Sequence, residues 1–211
     1  MIKVISFDMD GTLVGEDVDF YIWNEEIPKL YAEKYNLSLE EAKKEVYADY
    51  YKQRYIDNVK EWASLERWLK FYNIKYEDLK VDFEKEVHIY PEVKETLEYL
   101  KKYYSLIVVT NAHKDFMEIK LDLENLKSYF EKIYTSLDSN SGKKDKDLFN
   151  KIIENFNITN KEIIHVGDDP YYDKEVPESL GIKSYLLDRE GKGDIKSLKE
   201  LKKFLVNNSS K

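Results

Sequence analysis

Ile5-Ser6-Phe7-Asp8-Met9-Asp10-Gly11-Thr12-Leu13-Val14 decides how the rest of the chain is read. The apolar run from Ile2 through Phe7 predicts a short buried strand. It stops at two carboxylates one residue apart, followed by Gly and Thr. A buried strand has no structural use for Asp8 and Asp10, because an unpaired buried carboxylate is costly. At the carboxyl end of a central parallel strand the same groups face the crevice where open α/β sheets bind ligands. Gly11 permits a sharp turn there. The stretch therefore predicts a catalytic or metal-binding strand tip.

Beyond this tip the pattern turns helical. No Gly occurs between Gly15 and Gly142, and residues 14–88 hold one Pro, Pro28, and all three Trp. Ile27, Leu30, Tyr31 and Tyr35 fall at i, i+3, i+4 and i+8. Ser38-Leu39-Glu40-Glu41 is a capping-box pattern that opens a helix with Ala42, Val46 and Tyr50 on one face. Trp62, Leu65, Trp68, Leu69 and Tyr72 form another stripe, whose plain reading is core packing. Residues 14–88 are thus read as an all-helical insertion.

From Tyr90 strands and helices alternate. Leu106–Val109 predicts a buried strand ending at Thr110-Asn111, and Phe130–Tyr134 a short strand followed by the polar loop Ser136–Lys144. Lys146–Phe156 reads as a helix, and Ile163–Val166 as a strand ending at Gly167-Asp168-Asp169. Lys183–Leu187 reads as a last strand and Ile195–Val206 as a final amphipathic helix. Continuous apolar strands alternating with helices predict an α/β fold, a parallel sheet covered on both faces.

The polar groups then converge. Asp8/Asp10, Thr110/Asn111, Lys143 and Asp168/Asp169/Asp173 all end strands or lie in the loops after them. In a parallel sheet those ends share one edge, so groups up to 165 residues apart assemble. The set suits phosphoryl transfer. A carboxylate can attack phosphorus and split one hard displacement into two easier ones. Acidic groups holding Mg²⁺ would offset the repulsion between carboxylate and phosphate. A lysine and a hydroxyl would bind the other phosphoryl oxygens, and a second carboxyl would protonate the leaving alkoxide.

On these residues the chain resembles the haloacid dehalogenase superfamily. Asp8-Met9-Asp10-Gly11-Thr12 looks like its first motif and Thr110, after Ile107-Val108-Val109, like its second. Lys143, six residues before Phe149, looks like the third, with lysines where the family commonly has prolines. Gly167-Asp168-Asp169 followed by Asp173 looks like the fourth, although Val176-Pro177 stands where relatives usually show Gly-Ala. The resemblance implies a Rossmann-like catalytic core, residues 1–13 and 89–211, with residues 14–88 in the position of the family's helical cap. It implies Asp8 as nucleophile and Asp10 as general acid, then base. Mg²⁺ would be held by Asp8, the Asp10 carbonyl and Asp168. The phosphoryl group would be held by Thr110, Lys143 and the backbone N–H groups of Met9, Asp10 and Asn111. Asp169 would lie one layer out, and Asp173 would either lie there too or orient Lys143.

Other residues carry blander readings. His165 reads as a packed core histidine, Lys144 as the competitor of Lys143, and Ser141-Gly142-Lys143 lacks the preceding Gly of a phosphate loop. Trp23, Lys52 and Arg54 are candidate substrate contacts from the insertion, but nothing in the sequence singles them out.

Composition bounds the partners. The chain has 211 residues, 42% hydrophobic and 36% charged, with a net charge of -8 and no cysteine. Disulfides and thiolate zinc sites are excluded. The acidic balance argues against nucleic acid and anionic membranes. Met1-Ile2-Lys3 runs straight into a strand and no apolar stretch reaches about 20 residues, so the expectation is cytoplasmic. The expected function is a Mg²⁺-dependent phosphatase acting on a small phosphorylated metabolite; the oligomeric state is left open. A sugar-phosphate mutase would use the same core, and a phosphonate hydrolase would need a Schiff-base lysine from the insertion. A haloacid dehalogenase would have no use for an acid at Asp10, nor would a non-catalytic phosphate-binding scaffold.

Overall fold

The computed structural model describes residues 1–15, 17–79, 81 and 87–206. Strand β1 (Val4–Phe7) is buried throughout. It pairs in parallel with β2 (Ser105–Thr110) on one side and β4 (Ile163–Gly167) on the other. β3 (Lys132–Thr135) and β5 (Lys183–Leu186) close the edges, giving the order β3-β2-β1-β4-β5. The sheet is parallel throughout, so its carboxyl-end tips share one edge. The order reverses at β1, which puts the Asp8 tip at the switch point where such sheets bind ligands.

The period of two along β1 sorts its side chains. Ile5 and Phe7 face one layer, with Leu97 and Leu100 of helix α5 (Val93–Leu100) and Met117 and Leu121 of α6 (Lys114–Asp122). Val4 faces the other, with Leu148, Phe149 and Ile152 of α7 (Lys146–Phe156). Each such fully buried aliphatic or aromatic side chain contributes about 1.5–3 kcal/mol. Ser6, on the Val4 side, is buried too and meets a polar partner described below.

Between β1 and α5 lies the helical insert: α1 (Asp17–Tyr21), α2 (Ile27–Tyr35), α3 (Leu39–Tyr51) and α4 (Leu65–Phe71). π-helical turns follow α1 at Ile22–Glu26 and α3 at Lys52–Ile56. The capping box forms: Ser38 Oγ accepts the Glu41 N–H at 3.3 Å, and Glu41 returns the contact to the Ser38 N–H at 3.0 Å. The insert has its own apolar cluster, including Ile22, Ile27, Val46, Leu65 and Trp68, which takes in Phe116 of α6. The chain leaves and re-enters the core side by side, Val14 bridging Ile89 and the Gly15 N–H donating to the His88 carbonyl at 3.0 Å.

The last predicted helix is shorter than its apolar spacing suggests. Ile195 bridges Leu187, extending the pairing beyond β5, and a 3-10 turn at Leu198–Glu200 precedes the helix Leu201–Val206. The backbone of Asp188 and Leu186 captures Ile195 before a helix can start there. No helix of the described residues is long and apolar enough to cross a membrane.

Candidate active site

Past Phe7 the chain folds back on itself, the Met9 carbonyl accepting the N–H groups of Leu13 at 2.8 Å and Val14 at 3.0 Å. Gly11 sits in the turn at φ 72°, and a Cβ there would collide with the Asp168 carboxylate. Glycine thus meets two demands at once: left-handed backbone and close approach of an acid from β4. Thr12 Oγ1 donates to Asp168 Oδ1 at 2.7 Å, so the turn after β1 aims the acid after β4. The Met9 side chain packs in the core, leaving only its backbone for the site.

Asp8 is buried, with Oδ1 2.5 Å from Lys144 Nζ. The same ammonium pairs with Asp173 and donates to the Val109 carbonyl at 3.3 Å. This corrects the sequence expectation: Lys144, not Lys143, faces Asp8. Asn111 Oδ1 accepts the Lys144 N–H at 2.8 Å, and this grip fixes which of the adjacent lysines points inward. Lys143 is half-buried and does not line the crevice.

Asp173 is the anchor beneath Lys144. Its Oδ2 accepts the Asp169 N–H at 2.9 Å, and its Oδ1 lies 2.8 Å from His165 Nε2. A Cβ at Gly167 would occupy the space of this carboxylate. Burial keeps the His165 ring neutral, so Nε2–H donates to Asp173, while Ser6 Oγ sits between Nδ1 (2.7 Å) and the Ile164 carbonyl (3.1 Å). The core histidine of the sequence reading is therefore one link in a buried series, Ser6–His165–Asp173–Lys144–Asp8.

The remaining groups fall around these. Thr110 is buried at the β2 tip, its Oγ1 accepting the Ala112 N–H at 3.0 Å. Asp169 Oδ1 caps the π-helical turn Pro170–Glu175 through the N–H groups of Tyr171 and Tyr172, both at 2.8 Å. Asp10 Oδ1 lies 2.5 Å from Nζ of Lys120 on α6, a buried lysine that also pairs with Asp19 of α1. Lys120 was missed in the sequence. Its signal was a lysine on the stripe of Phe116, Met117 and Leu121, where a fourth apolar residue belongs. Asp8, Asp10, Thr110, Asn111, Lys144, Asp168, Asp169 and Asp173 line one crevice of about 350 Å³, together with Arg54 of the insert and Tyr172. Lys52 is exposed and lines no part of it.

The crevice carries excess negative charge. Burial pushes the Asp8 carboxyl well up; Lys144 pulls the other way, and Asp173, Asp168 and Asp10 add to the push. Burial would weaken the Lys144 charge, but Asp173 and Asp8 hold it above the ordinary lysine range. Asp8, Asp168 and Asp173 each bring an oxygen within 4.8 Å of the others. Both Asp173 oxygens are already engaged, so Asp8 and Asp168 are the pair suited to a hard divalent cation, which takes oxygen ligands. The donor set fits Mg²⁺.

Known proteins match the chain in family and in fold. The family model for haloacid dehalogenase-like hydrolases matches residues 5–187. The GMP/IMP nucleotidase YrfG of Escherichia coli is 22% identical over 170 residues, 79% of this chain and 74% of that one. The crystal structure of a HAD phosphatase from Thermococcus onnurineus is 27% identical, covers 97% of this chain and 98% of its own, and superposes with a TM-score of 0.82. The structure of YfnB from Bacillus subtilis bound to magnesium is 19% identical, covers 97% and 99%, and has a TM-score of 0.68.

Proposed function

We propose the following chemistry for a chain that belongs to the haloacid dehalogenase-like hydrolases: Mg²⁺-dependent hydrolysis of a small phosphate monoester through an aspartyl-phosphate on Asp8. The observation that carries it is the meeting of Asp8, Asp10, Thr110, Lys144 and Asp168 in one crevice at the β1 switch point.

An Asp8 oxygen forms a bond to phosphorus as the bond from phosphorus to the ester oxygen breaks. Asp10 gives its proton to the departing alkoxide. Asp10, now ionised, takes a proton from water; the water oxygen attacks phosphorus, the bond to Asp8 breaks, and inorganic phosphate leaves. Lys144 and Thr110 meet the charge on the phosphoryl oxygens. Bound between Asp8, Asp168 and the Asp10 carbonyl, Mg²⁺ would screen the carboxylate from the phosphate it attacks. Lys120 positions Asp10 and ties it to the insert through Asp19. The insert, as a cap, would exclude water from the crevice. The -8 net charge is compatible with an anionic substrate once a cation and Lys144 set the local field.

The test is turnover of para-nitrophenyl phosphate with and without Mg²⁺. Asp168→Asn removes one charged ligand and leaves the Thr12 hydroxyl an acceptor, so the fold persists. The Mg²⁺ concentration giving half-maximal rate should rise at least about 10-fold. An unchanged requirement would take Asp168 out of the metal site. Lys120→Met keeps the length and apolar body of the side chain but releases Asp10. kcat on an alkyl phosphate should drop by about 10- to 100-fold, a fraction of what a general acid contributes. An aryl phosphate, whose leaving group needs less protonation, should be affected less. Equal losses on the two esters would argue that Lys120 does not act through Asp10.

A further inference from the structure

A second cavity, of about 300 Å³, lies within the insert. Its lining is aromatic, with Trp23, Tyr50, Tyr51, Tyr55, Trp62 and Trp68, joined among the described residues by Arg54. Trp68 belongs to the insert's core, and Trp23 and Tyr50 pack against that core in part. All three also border the open space of the cavity. The lining rings present faces and edges to it: Trp23 and Tyr50 meet edge-on with centroids 5.6 Å apart, and the Arg54 guanidinium lies 3.9 Å over the Trp62 ring.

The chamber communicates with the catalytic crevice. Trp23, Arg54 and Trp62 also line a middle cleft of about 380 Å³, together with Asp10, Asp19, Asn111 and His113. Asp10, Asn111 and Arg54 pass from that cleft into the crevice around Asp8. Arg54 lines all three spaces and hydrogen-bonds Tyr172 across the crevice. The π-helical turns at Ile22–Glu26, Lys52–Ile56 and Pro170–Glu175 carry Trp23, Arg54 and Tyr172, and such turns recur at functional sites.

The compartments differ in chemistry in a definite order. The crevice suits a phosphoryl group. The middle cleft sets two carboxylates, an amide and an imidazole, which suit hydroxyl groups, among the apolar walls of Phe20, Ala63 and Phe116, which suit the carbon face of a sugar. The chamber offers aromatic faces. It also holds buried polar atoms without a hydrogen-bond partner among the described residues, namely Tyr50 Oη, Trp62 Nε1 and Arg54 Nε. A plain hydrocarbon ring would leave those atoms unsatisfied, which is costly; a heterocycle with donors and acceptors on its rim would not.

We infer that the substrate is a nucleoside monophosphate, its base stacked in the aromatic chamber, its sugar in the middle cleft and its phosphate at Asp8. The assignment rests on the phosphatase reading above and adds the leaving group to it. Arg54 then slides from Trp62 toward the phosphate or stacks on the base, as a guanidinium can do either.

The experiment compares kcat/KM, with Mg²⁺ present, on a nucleoside 5′-monophosphate and on ribose 5-phosphate, which lacks only the base. Base-on-aromatic stacking predicts a preference of about 10- to 100-fold for the nucleotide. Trp62→Leu should collapse that ratio and Trp62→Phe should keep most of it. The fold uses Trp62 through its carbonyl, which accepts from Trp68 Nε1 at 2.6 Å, and either substitution retains that bond. Binding is read separately, by tryptophan fluorescence of Asp8→Asn titrated with each compound. Quenching by the nucleotide alone supports the chamber, even if no ester is hydrolysed and the phosphatase reading fails. Equal turnover of both esters with no selective quenching overturns the chamber and leaves the phosphatase reading standing.

Discussion

Asp8→Asn should abolish turnover, lowering kcat on para-nitrophenyl phosphate by about 10⁴-fold or more, the scale seen when an essential nucleophile is removed. The amide matches the carboxylate in shape but cannot attack phosphorus. The fold should tolerate the change well. Asp8 is buried and crowded by Asp173, Asp168 and Asp10, and its carboxyl is pushed up accordingly. Replacing it with a neutral group relieves that crowding, while Lys144 keeps its pair with Asp173. The denaturation midpoint in the absence of metal should therefore equal or exceed that of the wild type. Loss of activity with gain of stability would mark a group held in an unfavourable setting for chemistry rather than for folding. The wild-type enzyme, quenched in acid during turnover, should carry one phosphoryl group that the variant lacks. If both proteins hydrolysed the ester at the same residual rate, Asp8 would not be the nucleophile.

How much of this was legible in the sequence depends on where each residue's partner lies. The tips of β1 and β4 could be read because a carboxylate that ends an apolar run has no packing role, and that contradiction is local. Thr110 carries no such local contradiction, since a hydroxyl at a strand end reads first as a cap; only its place at the same sheet edge as Asp8 and Asp168 singles it out. Choosing between Lys143 and Lys144 could not be done locally. The deciding contact is the Asn111 side chain on the Lys144 N–H, from a loop 33 residues away. His165 looked like a packed residue because its strand is apolar; its bonds to Ser6 and Asp173 depend on a register between β1 and β4 that only the sheet supplies. Lys120 lies on a helix, where a lone cation among charged neighbours looks like solvated surface, and Arg54, a candidate beside Lys52, could not be told from it because only the π-helical turn brings Arg54 to the crevice. Ile195 shows the reverse error: helical spacing was present, but pairing with Leu187 won.

Lys144→Ala and Lys143→Ala should behave as opposites, and the pair separates the structure from the spacing argument. Lys144 is fully buried between Asp8 and Asp173. Deleting it leaves two carboxylates buried without their cation, and breaking a buried pair in this way costs about 3–5 kcal/mol. Under the proposed phosphatase chemistry it also removes a donor to the phosphoryl oxygens, worth about 10²–10³ in kcat. The stability cost has a pH signature. Burial would raise the Asp173 carboxyl, but Lys144 and His165 outweigh it and hold the group below the ordinary carboxylate range. A depressed carboxyl contributes stability above its unfolded value of about 4 and loses it as pH falls further. Lys144, held above its ordinary range, stays charged throughout that window. The difference in denaturant midpoint between wild type and Lys144→Ala should thus be full near pH 7 and narrow as pH drops below about 4. Mg²⁺ should restore part of the variant's stability, since a cation at Asp8 and Asp168 replaces some of the lost positive charge. Lys143 is half-buried and outside the crevice, so Lys143→Ala should stay within about 0.5 kcal/mol and about 2-fold of wild type. A Lys143 variant that lost turnover while Lys144→Ala kept it would place the wrong ammonium against Asp8, and the buried series from Ser6 to Asp8 would lose its catalytic meaning.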